Sequence, residues 1–155
     1  MTQEQKQLLL VDLCARLPYR VIAYASEINK NGIITDVNIL YNMVNLTVDN
    51  ISGKYELVPL FDIKPYLRPM SSMTEVEKKE LEDICTIYNG DPSSSYEYFG
   101  VEIFHISRYG TYFESDYTAI DWLNAHHFDY RGLIEKGLAL EAPEGMYDSK
   151  NNTKI

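Results

Sequence analysis

The stretch Met43-Val-Asn-Leu-Thr-Val-Asp-Asn50 alternates apolar and polar side chains along its length. Successive side chains of an extended chain point to opposite faces, so Val44, Leu46 and Val48 share one face and the polar residues share the other. An antiparallel sheet with one buried and one solvated face has this pattern. The stretch therefore predicts a strand of such a sheet.

The flanking sequence extends this sheet in both directions. Val21–Ile28 and Ile33–Tyr41 are rich in strand-forming residues and flank Asn31-Gly32, which suits a type I′ hairpin turn because both central residues of that turn need positive φ. On the other side lies Tyr55–Leu60, in which Pro59 lacks a ladder donor and indicates an edge strand or a strand end. Together these segments predict a four-stranded antiparallel meander.

A helix precedes the predicted meander. Thr2 and Gln5 have the spacing of a capping box, and an apolar stripe at helical spacing follows. The stripe consists of Leu10, Leu13, Cys14 and Leu17. We expect a helix from about Gln3 to Leu17, with Cys14 in the core.

A second helix is predicted after a connector. Ile63–Met70 contains Pro65 and Pro69, so we interpret it as a packed connector rather than a regular strand. Thr74 and Glu77 then repeat the capping-box spacing, and an apolar stripe follows that ends near Asn89-Gly90. This helix carries acidic residues on its outer face.

The last third predicts a hairpin and two short helices. Tyr96–Ile106 has the pattern of one strand, and Tyr109-Gly110 suggests a turn into Thr111–Glu114. Ser115 or Asp116 can cap a helix that contains Ile120, Leu123 and His127, and Asp129 can cap a shorter helix that ends at Gly137. We expect a single α+β domain over residues 1–147 and a frayed polar tail over residues 148–155.

The net charge of −9 belongs to the second half of the chain. Up to Met70, seven basic residues balance seven acidic ones, whereas from Ser71 onward seven basic residues face sixteen acidic ones. An acidic surface disfavours a nucleic-acid backbone as the partner. A nucleic-acid-binding regulator is therefore our third hypothesis only, because Arg131 and Lys136 are the sole cations of its predicted recognition helix.

Several signatures that would identify a class of enzyme are missing. The chain has no P-loop, GxGxxG, GxSxG, HExxH or CxxC motif, so we predict no cofactor and no metal. We expect no signal peptide or membrane anchor at its start, and Cys14 and Cys85 are far apart in sequence. We therefore expect a cytoplasmic protein with reduced thiols.

Potential catalytic side chains concentrate in Asp121-Trp-Leu-Asn-Ala-His-His-Phe-Asp129. The adjacent His126 and His127 diverge by about 100° on a helix, so they do not readily share a metal ion. Either could act as a general base with Asp121, Asp129 or His105, which would make the chain a small hydrolase. His127 also falls on an apolar stripe, where a hydrogen-bonded core histidine is the commoner outcome. Catalysis is therefore our second hypothesis.

Tyrosines and acidic residues of the second half form our leading candidate surface. Tyrosine is enriched at protein interfaces because it offers a large contact area and a polar tip. The candidate binding residues are Tyr96, Tyr98, Tyr109, Tyr112, Glu75, Glu77 and Glu80. We expect a non-enzymatic interaction protein whose partner is another protein with a basic surface.

Three stretches together resemble known proteins. They are Asp12-Leu-Cys-Ala-Arg-Leu-Pro-Tyr19, Ile63-Lys-Pro-Tyr-Leu-Arg-Pro-Met-Ser-Ser-Met-Thr74, and the segment from Asp121 to Tyr147. This combination resembles a group of small uncharacterised proteins that are encoded in gut Bacteroides genomes, often in prophages or other mobile regions. The resemblance implies a bacterial or phage cytoplasmic setting and supplies no activity, cofactor or catalytic residue. Asp91–Ile106 lies outside it.

Overall fold

The protein has an α+β fold in which an N-terminal helix precedes a six-stranded mixed sheet. The computed structural model describes residues 1–48, 54–89, 95–99, 102–107, 110–113 and 117–148, and for residues 82, 85–89, 117–118 and the strands between 95 and 113 it describes the backbone alone. Within these ranges the helices are α1 (Gln3–Arg16), α2 (Glu75–Asn89) and α3 (Tyr117–Ala125). The strands are β1 (Ile22–Ala25), β2 (Lys30–Asn38), β3 (Met43–Thr47), β4 (Tyr55–Pro59), β5 (Ile63–Leu67), β6 (Ser95–Phe99), β7 (Glu102–Ser107), β8 (Gly110–Phe113) and β9 (Leu140–Glu141).

The predicted meander is confirmed. The six strands lie in the order β4-β3-β2-β1-β5-β9, with antiparallel pairing throughout except for the parallel pair β5 and β9. Val44 and Leu46 of β3 are buried, as their alternation predicted. Pro59 is the last residue of β4, and β4 is an edge strand, so the indication from its missing N–H is also correct.

The position of the first hairpin turn was predicted wrongly. The chain turns between Ala25 and Lys30, where Asn29 adopts a left-handed φ of 51°. Gly32 instead lies inside β2, opposite Ala23. A Cβ atom on Gly32 would lie 2.8 Å from the backbone oxygen of Thr47. This glycine is therefore required for the close approach of β3 and not for a turn.

The prediction of a connector over Ile63–Met70 was also wrong, because Ile63–Leu67 forms the strand β5. β5 occupies a central position between β1 and β9, and Pro65 lies opposite Ala23. Leu67 O accepts a hydrogen bond from Ala142 N at 2.8 Å, on the β9 side. Backbone polar groups of residues two positions apart in a strand face the same neighbour, so the nitrogen of Pro65 faces the β9 side as well. Since β9 pairs only with Tyr66 and Leu67, no strand of the described chain is opposite the missing N–H.

Both predicted capping boxes are present. Gln5 N donates to Thr2 Oγ1 at 3.2 Å, and Thr2 N donates to Gln5 Oε1 at 2.9 Å. At the start of α2, Glu77 N donates to Thr74 Oγ1 at 3.2 Å, and Thr74 N donates to Glu77 Oε2 at 2.8 Å. Cys14 is only partly buried, so the prediction that it lies in the core is wrong.

A second sheet contains β6, β7 and β8 in that order. The single strand predicted over Tyr96–Ile106 is wrong, because this stretch contains two antiparallel strands in which Phe99 lies opposite Glu102. In the sequence, Gly100 and Val101 separate the two strands, and glycine in this position is typical of a hairpin turn. The alternation of side chains on either side of Gly100 made the stretch resemble one strand. The predicted hairpin into Thr111 does form, between β7 and β8.

One of the two predicted C-terminal helices is absent. α3 forms, but the segment after it contains turns, although Asp129 does bind backbone groups as predicted of a cap. Asp129 accepts hydrogen bonds from Leu133 N and Ile134 N, both at 2.8 Å. Gly132 and Gly137 each have φ of 68°, which a right-handed helix does not accommodate. We call residues 126–139 the C-terminal loop. The predicted tail lies outside the described residues, except for Asp148.

Two apolar clusters hold these elements together. The larger one contains Leu9 and Leu13 of α1, residues of β1 to β5, and Leu133 of the C-terminal loop. The smaller one joins α2 and α3 to the same loop through Leu81, Leu123 and further residues. No helix in the described part of the chain is long and apolar enough to cross a membrane.

Gly32→Ala should destabilise the fold by about 1–3 kcal/mol, because the added methyl group must displace the β3 backbone at Thr47. Urea denaturation followed by circular dichroism measures the free energy of unfolding. Lys30→Ala, at an exposed position of the same strand, is the control and should change it by less than about 0.5 kcal/mol. If both variants had the same free energy of unfolding, β3 would be able to move away from residue 32 at little cost, and the prediction would be wrong.

Candidate functional site

A buried ion pair connects α1 to the C-terminal loop. Arg16 Nε lies 2.8 Å from Asp12 Oδ2, one helical turn earlier, and both side chains are fully buried. Arg16 Nη2 also donates to Phe128 O at 2.7 Å. Arg131 Nε lies 3.5 Å from Asp12 Oδ1, close enough for attraction although no hydrogen bond forms. The polar network therefore fixes the backbone of the loop at Phe128.

The loop leaves α3 through a Schellman motif with an unusual residue. Phe128 N donates to Leu123 O at 3.0 Å and His127 N donates to Asn124 O at 3.1 Å, which is the pairing that defines this motif. His127 thus occupies the left-handed position, with φ of 60°, where glycine is the usual residue. The backbone gains nothing from a histidine there.

The side chain of His127 is buried and neutral. Its ring stacks on Tyr147, with the ring centroids 3.7 Å apart, and it is only 5% exposed. Burial of the ring, followed by the positive charges of Arg16, His126 and Arg68, lowers the pKa of His127 to about 3. The buried Nδ1 has no hydrogen-bond partner among the described residues.

His126 and Tyr147 are held by their own contacts. His126 Nδ1 lies 2.9 Å from Trp122 O, and the two rings stack with centroids 3.9 Å apart. Since a carbonyl oxygen only accepts, His126 Nδ1 carries the hydrogen in this contact. The Tyr147 hydroxyl donates to Tyr66 O at 2.7 Å and accepts from Ile22 N at 3.2 Å.

Arg68 connects the loop to α2. Its guanidinium donates two hydrogen bonds to the Glu77 carboxylate, at 2.7 and 3.0 Å, and lies over the Phe128 ring. Its backbone N–H donates to His127 O and its carbonyl accepts from Asp129 N, both at 2.8 Å. The hydrogen bonds from Arg68 are the main cause that lowers the pKa of Glu77 to about 2.

These side chains surround a cavity of about 180 Å³, which we call the histidine cavity. It is lined by Tyr19, Arg20, Arg68, Ala125, His126, His127 and Tyr147. A wider cavity of about 570 Å³ shares Arg68 and Tyr147 in its wall and contains several carboxylates in its lining. The structure thus brings both predicted histidines to one cavity.

The predicted carboxylate partners are not joined to these histidines. Asp121 is exposed on α3, and both Asp129 oxygens accept backbone N–H groups of the loop. Among the hydrogen bonds of the described residues, none connects His126 or His127 to a carboxylate. The side chain of His105, the fifth predicted catalytic residue, lies outside the described residues.

The predicted acidic and tyrosine-rich surface is described only in part. The backbone register places Tyr96 and Tyr112 in one row with His105, but the side chains of Tyr96, Tyr98 and Tyr112 lie outside the described part, as does all of Tyr109. Glu75 and Glu80 are exposed on α2. Glu77 does not belong to that exposed face, because its carboxylate binds Arg68 and Thr74.

An exposed apolar surface lies elsewhere, at the free edge of the six-stranded sheet. It follows β4 and the turn between β2 and β3, which are adjacent because Met43 pairs with Pro59. Its residues, 57–79% exposed, are Ile39, Leu40, Tyr41, Tyr55, Leu57 and Phe61, and we call them the β4 surface. A groove of about 420 Å³ between Met1, Tyr41 and Phe61 adjoins it.

Sequence reasoning missed the β4 surface for an identifiable reason. It assigned Ile39–Tyr41 to a strand, whereas β2 ends at Asn38 and these three residues form a turn. Three consecutive apolar residues at a turn were the available signal. The roles of Arg68 and Tyr147 had no local signal, and for Arg16 the only local signal was its i,i+4 spacing from Asp12.

Comparison with known proteins adds no relative. The chain matches no family model, no curated protein and no solved structure.

Arg16→Met should cost about 3–5 kcal/mol of unfolding free energy, because Asp12 then remains buried without its partner. The double variant Asp12→Leu/Arg16→Met removes both charges and should recover at least half of that loss. Urea denaturation followed by the fluorescence of Trp122, the only tryptophan, measures both. A cost below about 1 kcal/mol for Arg16→Met would contradict the role of the ion pair.

Acid should destabilise the fold through His127. The unfolded chain binds a proton at the ordinary pKa of 6.5, whereas the folded chain does so only near pH 3. The unfolded state therefore binds more protons between these values, and stability falls as the pH is lowered, by about 2 kcal/mol between pH 7 and pH 5. His127→Gly should lose this component, and His126→Gln should retain it. Parallel pH profiles for the wild type and His127→Gly would contradict the assignment.

Proposed function

We propose that this chain is a non-enzymatic interaction protein that binds another protein through the β4 surface. The observation that carries the proposal is the grouping of large apolar side chains at one edge of the sheet. Single exposed hydrophobic residues are ordinary, but a contiguous group marks a site of interaction. Leu40 is 79% exposed and Phe61 is 74% exposed, and both lie beside the end of β4.

The backbone of β4 supports a protein as the partner. β4 pairs with β3 on one side, and within the described chain no strand covers its other side. A free edge presents unpaired N–H and C=O groups to which a strand of another chain can be added. Tyr55 and Leu57, exposed along β4, would then contact side chains of the added strand.

The neighbouring groove gives the partner an anchor. It lies beside the first residues of α1, and its apolar walls include Met1, Tyr41 and Phe61. Interfaces gain most of their energy from a few bulky side chains that fill such depressions. We therefore propose a partner that presents an extended strand followed by a bulky apolar side chain.

This assignment moves the interaction away from the acidic half of the chain. On α2, Glu75 forms an exposed ion pair with Lys78 at 2.6 Å, and Lys79 and Glu80 are both exposed. The exposed face described there mixes both signs of charge and does not select a basic partner. The resemblance to proteins of mobile regions makes a bacterial cytoplasm our proposed setting for the search.

Leu40→Asp and Phe61→Asp should each reduce partner binding at least tenfold, because a charge at the centre of an apolar contact is not compensated. Binding is measured as enrichment from bacterial lysate by quantitative mass spectrometry, and then with the purified partner. Val76→Asp is the matched control, since Val76 is 68% exposed on α2 and lies outside the β4 surface. Circular dichroism verifies that each variant folds.

Four outcomes would contradict the proposal. One is a partner whose binding survives both β4 variants, and another is a partner lost equally with Val76→Asp. The third is dimerisation of the wild type that is abolished by Leu40→Asp, which would make the surface a contact between copies of this chain. The fourth is loss of binding in the double variant Glu75→Lys/Glu80→Lys but not in the β4 variants, which would show that the partner binds at α2.

A further inference from the structure

The histidine cavity has two strained residues in its wall. Within the described chain, four residues other than glycine have positive φ: Arg20, Asn29, Asn42 and His127. Asparagine tolerates this conformation, and both asparagines lie in hairpin turns. Arg20 and His127 each end a helical segment, at a left-handed position where glycine is the usual residue, and both line the same cavity. Strain of this kind persists where the surrounding structure holds a side chain in a required place.

His127 is placed as a ligand-binding group would be. The ring is more than nine-tenths buried and stacks on Tyr147, and its buried Nδ1 has no hydrogen-bond partner among the described residues. A buried ring nitrogen without a partner costs free energy. A neutral imidazole also carries one N–H, which an oxygen atom inside the cavity could accept.

The cationic side chains around the cavity favour an anion. Arg20 is exposed at its rim and forms no ion pair within the described part of the chain. Arg68 is paired with Glu77, and Arg16, whose charge also acts on His127, is paired with Asp12. One guanidinium therefore remains uncompensated at the cavity, which matches a ligand of one negative charge. A guanidinium fork fits the two oxygens of a carboxylate.

We propose that the histidine cavity binds the carboxylate of a small monocarboxylic acid. Arg20 pairs with the carboxylate at the rim, and the N–H of His127 donates to one of its oxygens. The volume of about 180 Å³ lies below the roughly 300–1,000 Å³ of common ligand pockets, so the acid is small. This site is independent of the β4 surface and of the partner proposed there.

The adjoining wider cavity limits the charge of the ligand. Its lining contains Glu77, Glu141, Glu144 and Asp148, and it meets the histidine cavity at Arg68 and Tyr147. A second carboxylate that reached beyond Arg68 would approach these acidic groups and be repelled. Acetate should therefore bind more tightly than succinate.

The test is a titration of ¹⁵N-histidine-labelled protein with sodium acetate at constant ionic strength, observed by NMR of the ring nitrogens. Only three histidines are present, so the ring signals can be assigned by substitution. We expect a saturable shift of the His127 signals. The affinity should lie in the millimolar range, because four non-hydrogen atoms gain at most about 1.5 kcal/mol each and usually less.

Two glycine variants separate binding from folding. Arg20→Gly and His127→Gly retain the left-handed backbone, which glycine adopts without strain, and each should weaken acetate binding at least tenfold. For His127→Gly the reporter is the shift of His126. Asn42→Gly is the matched control, since it makes the same change at a left-handed position outside this cavity, and it should bind acetate as the wild type does.

The proposal is overturned by any of three results. The first is the absence of a saturable shift with acetate, and the second is unchanged affinity in Arg20→Gly and His127→Gly. The third is tighter binding of phosphate or succinate than of acetate, measured in parallel titrations, which would replace the monocarboxylate by another anion.

Discussion

The buried pair of Asp12 and Arg16 is the constraint on which the arrangement of the C-terminal loop depends. Two charges removed from water are expensive unless further hydrogen bonds satisfy them, and Arg16 obtains one from Phe128 O at 2.7 Å. That bond joins residues 112 positions apart in sequence. A hydrophobic pair could stabilise the same contact equally well, but it would not fix one carbonyl oxygen at one place. We therefore interpret the ion pair as a device that specifies the path of the loop.

The loop is irregular because each of its parts is fixed by a partner outside a helix. Arg16 holds the carbonyl of Phe128, the backbone of Arg68 pairs with His127 and Asp129, and the carboxylate of Asp129 binds two N–H groups of the next turn. These bonds satisfy the backbone polar groups that a helix would have satisfied internally. The histidine cavity lies beside the last residue of α3, Ala125, and the chain turns back at His127 and does not extend α3 across it.

Local signals in the sequence predicted the local elements and little else. Alternation, capping boxes and Pro59 identified the meander, α1, α2 and the sheet edge, because each depends on residues within a few positions of one another. The role of Gly32 depends on Thr47, and the strand through Pro65 depends on the place where β9 begins. The histidines could be singled out from the sequence, but the cations beside them, Arg20 and Arg68, come from the segments after α1 and β5. No nearby pattern indicates that they converge.

The topology separates the two surfaces that carry the functional proposals. β4 forms one edge of the six-stranded sheet, while β9 forms the other and lies next to β5, which leads into Arg68. Four strand spacings lie between β4 and β5, which corresponds to about 19 Å. Substitutions that far apart, without shared partners, usually act additively on stability. An effect of a β4 substitution on the histidine cavity would therefore require the sheet itself to transmit it. β1, β2 and β3 are joined by antiparallel pairing, with one register shift in β2 between Ile34 and Asp36, and the structure shows a single arrangement of these strands. We therefore expect the two surfaces to act independently.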